Sequence, residues 1–189
     1  MIANVIKSSN RGGAVFSVDG MCRYMLWRDL TGGKMFEDNS NGKIVFVMLN
    51  PSTADHGIDD PTIRRCMQYG RVLCCSRLEV VNLFARVTSD PNGIMVMELQ
   101  EEELVDDYIK KAIWDAKYVI CAWGSFGGIV IQNRAARVKN LLKHWSMENG
   151  VRLFALKINM DGSPAHPLYQ KKINGVDELV EFNPAFRQG

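Results

Sequence analysis

The sequence predicts an α/β fold: a three-layer sandwich with a central, mostly parallel four-stranded sheet, plus an N-terminal β-hairpin at one edge. Three observations predict it. Four short runs are apolar at consecutive positions instead of alternate ones. Segments long enough for helices separate them, and an Asp19-Gly20 pair divides two short apolar and aromatic runs near the start. A strand that is apolar on both faces needs cover on both faces, which helical crossovers between parallel strands supply.

The elements follow in order. Residues 14–28, AVFSVDGMCRYMLWR, carry the hairpin, because Asp-Gly between apolar runs is the strongest short-range hairpin signal. A polar, glycine-rich loop, DLTGGKMFEDNSNGK, leads into the first core strand, KIVFVML at 43–49. DDPTIRRCMQYGRVL then opens a helix, with Asp60 as its cap and Pro61 at the first helical position. LEVVNLF at 78–84 is the second strand. MELQEEELVDDYIKKAIWDA at 97–116 is a helix whose glutamates lie near its start and Lys110-Lys111 later on, as the helix dipole favours. YVICAW at 118–123 is the third strand. IVIQNRAARVKNLLKHWSMEN at 129–149 is a helix with Ile131, Ala135, Val138, Leu142 and Trp145 on one face, and RLFALKI at 152–158 is the fourth strand. VDELVEFNPAFRQG reads as a short helix and tail. No repeat, low-complexity tract or linker interrupts the chain, so residues 1–189 read as one domain.

Composition sets the outer bounds. Of 189 residues, 47% are hydrophobic, including four Trp, eight Phe and ten Met, enough for one sizeable core. No apolar run is long enough to span a bilayer, and MIANVIKSSNRGG lacks the apolar block of a signal peptide; the expectation is a soluble, cytoplasmic protein with no membrane partner. Cys22, Cys66, Cys74, Cys75 and Cys121 have no C-x-x-C spacing and read as free, mostly buried thiols. A net charge of +2 is too mild to announce a nucleic-acid partner, so local clusters must carry that argument. Arg64, Arg65 and Arg71 form one basic stripe, and Arg134, Arg137, Lys139, Lys143 and His144 a second. They are solvated helix faces or, if both helices flank one cleft, a surface that tracks a nucleic-acid backbone.

In open α/β sheets the ligand lies beyond the carboxyl ends of the strands. The first strand delivers Asn50-Pro51-Ser52-Thr53, and the second contains Asn82 and leads to Phe84 and Arg86. The third delivers Gly124-Ser125-Phe126-Gly127-Gly128, and the fourth leads to His166-Pro167-Leu168-Tyr169. Singly, each admits a plain account: Asn50 as a turn residue, His166 on a surface loop, the glycines as a tight turn, Trp123 and Trp145 as core. Asn82 is harder to dismiss, since a buried amide needs partners for its donors and its acceptor. Asp55, His56, Asp59 and Asp60 are either a solvated acidic loop or oxygen ligands for a divalent cation. The reading requires neither a metal nor another cofactor.

Four motifs, MLNPSTAD...DDPTIRRC, VVNLFARVTSDP, AWGSFG and GSPAHPLY, resemble in order those of the bacterial and phage domain of unknown function 1643 family. They also have a more distant likeness to the uracil-DNA glycosylase superfamily. There a strand ends in a G-x-N-P or G-Q-D-P motif and an H-P-S-type loop follows a later strand; MLNPS and AHPLY stand in those places. VVNLFARVT is similar to the T-N-x-V-x-R-x-T strand of mismatch-specific glycosylases at Asn82, Arg86 and Thr88.

That resemblance implies a glycosylase-like fold and a nucleobase-recognising protein, probing DNA or a nucleotide, that releases or modifies a pyrimidine. Asn50 and His166 would be catalytic, the first orienting a water and the second donating to the oxyanion on the departing base. Asn82 would read the base edge, within a wall that includes Pro51, Ser52 and Phe84; Tyr69 and Phe126 are further candidates for the stacking ring. Gly124, Ser125 and Gly127 would approach phosphates, with Arg86, Arg134 and Arg137 as basic contacts and Leu168 or Tyr169 as the wedge. No protein partner is implied. Two alternatives stand beside it: a binding module without chemistry, and a metal-dependent nucleotide hydrolase built on Asp55, Asp59 and Asp60. Met48, where the glycosylase motif has glycine, and the Ser-Thr-Ala-Asp segment after Pro51 depart from the glycosylase pattern.

Overall fold

The structure is a computed structural model that describes residues 4–32, 42–52, 54–88 and 97–183. Its strands are β1 (Asn4–Ser9), β2 (Gly12–Ser17), β3 (Arg23–Asp29), β4 (Lys43–Met48), β5 (Arg77–Asn82), β6 (Ala116–Cys121), β7 (Leu153–Ala155) and β8 (Val180–Glu181). Its helices are α1 (Pro61–Val72), α2 (Leu99–Ile113) and α3 (Ile129–Asn149). The strands form one mixed sheet in the order β1-β2-β3-β5-β4-β6-β7-β8.

The α/β class is borne out, but the sheet has eight strands where the sequence predicts four. The four predicted strands are its parallel centre, β5-β4-β6-β7. The excess comes from both edges. The predicted hairpin, β2 and β3, continues the main sheet because β3 pairs antiparallel with β5, Leu26 opposite Val80. Every residue of β1 is exposed, so that strand has no apolar pattern to betray it. At the far edge the predicted C-terminal helix is a 3-10 turn at Val176–Glu178 followed by β8, whose two residues pair with β7. Strand β7 itself stops at Ala155, because the chain turns into the loop closed by the Ile158–Pro164 bridge.

Two apolar clusters flank the sheet. Helix α1 contributes Ile63, Cys66 and Tyr69 to one, over Ile44, Phe46, Leu78 and Val80. Helices α2 and α3 contribute Val105, Ile109, Val138, Leu142 and Trp145 to the other, over Val45, Val47, Val81 and Val119. Consecutive apolar residues along β4 and β5 thus serve opposite layers, as the uninterrupted runs predict. Asp60 caps α1, its Oδ1 accepting from the Ile63 amide at 2.7 Å, and Pro61 opens the helix. Glu101 and Glu102 lie in the first turn of α2, with Lys110 and Lys111 in its last.

Since α1 and α3 pack on opposite faces, their basic stripes do not flank one cleft. Arg134 is buried on α3, with its Nη2 2.7 Å from Asp106 Oδ1 of α2 and its Nε donating to Leu83 O at 2.8 Å. Arg137 pairs with Asp106 and Glu102. Both arginines tie α3 to α2.

A bulge in the β2–β3 pair decides where one more arginine goes. The register slips between Val15 and Phe16, so that Val15 faces Met25 while Phe16 faces Arg23. Tyr24 and Met25 therefore both turn to the α2/α3 layer. Arg23 is sent to the opposite face, where it reaches the carbonyl of Ala54 in the α1 layer.

Candidate functional site

The carboxyl ends of the parallel strands open on a cavity of about 560 Å³. Asn50 and Ser52 reach it from the end of β4, Gly124, Ser125 and Phe126 from the end of β6, and His166, Leu168 and Tyr169 from the loop after β7. Asp60 and Thr62 at the start of α1, and Arg23 of β3, also line it.

Asn50 is held by its amide nitrogen. Nδ2 donates to Thr88 O at 2.7 Å and to Pro51 O at 3.1 Å, so the amide protons are committed to the backbone. Oδ1 is left as the acceptor that this side chain can offer a ligand or water. The Thr88 amide returns a bond to Pro51 O at 3.0 Å, fixing the turn after β4 against the strand after β5.

His166 is fixed in the complementary sense. It caps the 3-10 turn Pro167–Tyr169, its Nδ1 accepting from the Leu168 amide at 3.4 Å. An accepting Nδ1 puts the proton of the neutral ring on Nε2. Burial pushes the imidazole pKa below its ordinary value, with Asp60 pulling weakly the other way. The ring is therefore a neutral donor at neutral pH.

Gly124 makes this approach possible. Its φ is +83°, its amide donates to Pro164 O at 2.8 Å, and a Cβ there would stand 3.0 Å from the Phe126 ring and 3.5 Å from His166 Cβ. Ser125 lies in a rim network: its Oγ is 2.6 Å from Ser163 Oγ and accepts from Asn159 Nδ2 at 2.8 Å, while Ser163 Oγ donates to Asp161 Oδ1 at 2.6 Å. Those bonds hold Asp161 below the usual carboxylate range. At the mouth, Tyr169 is 83% exposed, its ring centroid 6.4 Å from that of His166.

The other predicted residues fall elsewhere. Asn82 is 2% exposed, and among the described residues neither Nδ2 nor Oδ1 has a hydrogen-bond partner. It stands in register with Met48, which lines the cavity, but does not line it itself. Pro51 is buried behind Asn50, and Gly127 is exposed with open space around its Cα. Arg86 is exposed, close enough to Asp19 and Cys22 to act on their charges. Phe84 lines a second cavity of about 280 Å³ on the α3 side, with Arg134 and Arg137. Tyr69 is buried under α1, its hydroxyl donating to Lys171 O at 2.8 Å.

The acidic loop is consumed by structure. Asp55 Oδ1 accepts from Gly57 and Ile58 amides, Asp59 pairs with Arg28 at 2.6 Å, and Asp60 caps α1. Among the described residues no three His, Cys, Asp or Glu side chains converge as metal ligands do. Asp60 nonetheless turns into the cavity, near enough to raise the pKa of both His166 and Arg23.

Sequence reading missed Arg23 and Asn159 as cavity residues, and named Asp60 only as a helix cap or a cation ligand. Asp60 carried a signal fully explained by its cap, and Arg23 is brought in by a bulge that no periodicity announces.

Among known proteins, the family model for a protein of unknown function (DUF1643) matches residues 23–168, which is every cavity residue from Arg23 to Leu168. No curated protein matches the chain, and no solved structure does. Among the described residues no helix is long and apolar enough to cross a membrane.

Proposed function

The chain belongs to the family of proteins of unknown function (DUF1643), whose description assigns no activity, and from the cavity itself we propose a nucleobase-recognising protein that cleaves or modifies a pyrimidine nucleotide unit. The observation that carries this reading is the pairing of Asn50 and His166 on one cavity with opposite polarity. Asn50 offers an acceptor, because its amide protons are spent on Thr88 and Pro51; His166 offers a donor, because its Nδ1 is spent on Leu168.

N-glycosidic hydrolysis uses that polarity. Asn50 Oδ1 accepts a hydrogen bond from a water and orients its lone pair at the sugar's C1′. The C1′–O bond forms as the C1′–N bond breaks, and the electron pair leaves on the base. A neutral imidazole Nε2–H stabilises the oxyanion that develops on the pyrimidine carbonyl. Asp60 is the carboxylate in the cavity able to take the water's proton. Tyr169, exposed at the mouth, supplies the ring to stack on a neighbouring base.

Oligonucleotides carrying uracil, hydroxymethyluracil or other altered pyrimidines, incubated with the protein and then treated to cleave abasic sites, test this. Strand breaks that vanish in Asn50→Ala and His166→Ala are expected. A second reading, a binding module without chemistry, is favoured by the amide at position 50 and by Phe84 facing another cavity. Binding that responds to both substitutions, with no base released from any substrate, would decide for it.

A further inference from the structure

Arg23 and Arg28 are on one strand and are both 2% exposed, yet their surroundings differ. Arg28 is saturated: Nε meets Asp59 Oδ1 at 2.6 Å, Nη1 donates to Trp27 O at 2.9 Å, and Nη2 donates to Asp55 O at 2.5 Å. Among the described residues Arg23 has only the Ala54 carbonyl, on Nη1. Its Nε is buried without a partner, and no carboxylate forms an ion pair with it among the described residues. Burial lowers its pKa to about 10, so it remains a cation at neutral pH. Asp60 and Asp55 act on it only from beyond ion-pair distance, and a buried cation without a directly paired carboxylate is a costly arrangement for a fold to hold. The chain nevertheless spends a β-bulge to turn this one from the α2/α3 layer into the cavity wall.

We propose that Arg23 is the seat for an oxyanion of the cavity's ligand, a phosphate or a carboxylate, bound through its unpaired guanidinium edge. On the nucleobase reading, on which the choice of probes below rests, the ligand is then a nucleotide held by its phosphate or a pyrimidine bearing a carboxyl group. A planar guanidinium grips either oxyanion through paired N–H donors. The Arg28 comparison separates this from a structural role: Arg28, at the same depth on the same strand, has a carboxylate at ion-pair distance, and among the described residues Arg23 has none.

The test compares deoxyuridine, deoxyuridine 5′-monophosphate, 5-carboxydeoxyuridine and inorganic phosphate by calorimetry and thermal shift, on wild type, Arg23→Gln and Arg23→Met. At least one nucleoside anion is expected to bind wild type about tenfold or more tighter than deoxyuridine. The preferred one tells whether phosphate or carboxylate is the source. Both variants should lose that preference while melting, without ligand, no lower than wild type, because they remove an unpaired buried charge. Equal affinity for deoxyuridine and both anions overturns the seat and leaves the nucleobase reading standing. Stabilisation of wild type but not of the variants by phosphate, with no nucleoside bound, upholds the seat and overturns the nucleobase reading. Variants that melt several degrees lower yet keep an anion preference overturn the seat, making Arg23 a structural residue.

Discussion

Asn50 Nδ2 donates to Thr88 O at 2.7 Å, so the end of β4 is pinned to the strand after β5 through a side chain that offers its oxygen as an acceptor to the cavity. An aspartate there would keep the shape and lose both donors. Its carboxylate would face the carbonyls of Thr88 and Pro51, and the only relief is to rotate away or bind a proton. Asn50→Asp should therefore lower stability by about 1–3 kcal/mol at pH 7, and by less at pH 4, where protonation restores one donor. Urea unfolding at the two pH values reads this directly. A variant as stable as wild type at pH 7 would mean that the amide does not hold the turn.

His166 yields a pH dependence of defined sign. Its folded pKa lies below its ordinary value of 6.5, because burial disfavours the imidazolium, so the unfolded chain binds the proton more readily. Its contribution to stability is fully present above pH 6.5 and is lost as pH falls from there toward the folded pKa, below which it levels off. Protonation would also cost the Leu168 N–H···Nδ1 bond. Between pH 7.5 and 5.5 the melting temperature of wild type should fall further than that of His166→Gln, and ligand binding should weaken over the same interval. Parallel profiles for the two proteins would show that the ring titrates without consequence.

How legible the molecule was depends on what each residue does locally. Strands β4, β5 and β6 advertise themselves because both of their faces are buried, and α1 because Asp60-Pro61 is a local cap signal. The edges β1 and β8 are silent: the first is exposed throughout, and the second is two residues long. The site was legible where a polar residue follows a strand, which placed Asn50, Ser125 and His166 on one cavity. It was not legible for Arg23, whose direction depends on a bulge between β2 and β3, nor for Phe84, which lines the other side of the sheet. Pattern reading shows which residues reach a strand end, and the face they turn to is set by tertiary packing.

Arg134 and Arg137 test where the helix charges are spent. By sequence they belong to a basic stripe suited to a nucleic-acid backbone, yet Asp106 of α2 sits against both, with Oδ1 at 2.7 Å from Arg134 Nη2 and Oδ2 at 2.9 Å from Arg137 Nη2. Asp106 is 7% exposed and Arg134 3%, so removing the acid strands a buried cation. Asp106→Ala should cost about 3–5 kcal/mol of stability, most of it the cost of an unpaired Arg134 and not the worth of the pair itself. The double change Asp106→Leu with Arg134→Met should recover much of that loss, since apolar groups of similar volume need no counter-charge. Denaturant unfolding of the three variants checks the ordering. If Asp106→Ala is nearly as stable as wild type, Arg134 has another outlet for its charge, and its assignment to the α2–α3 contact fails.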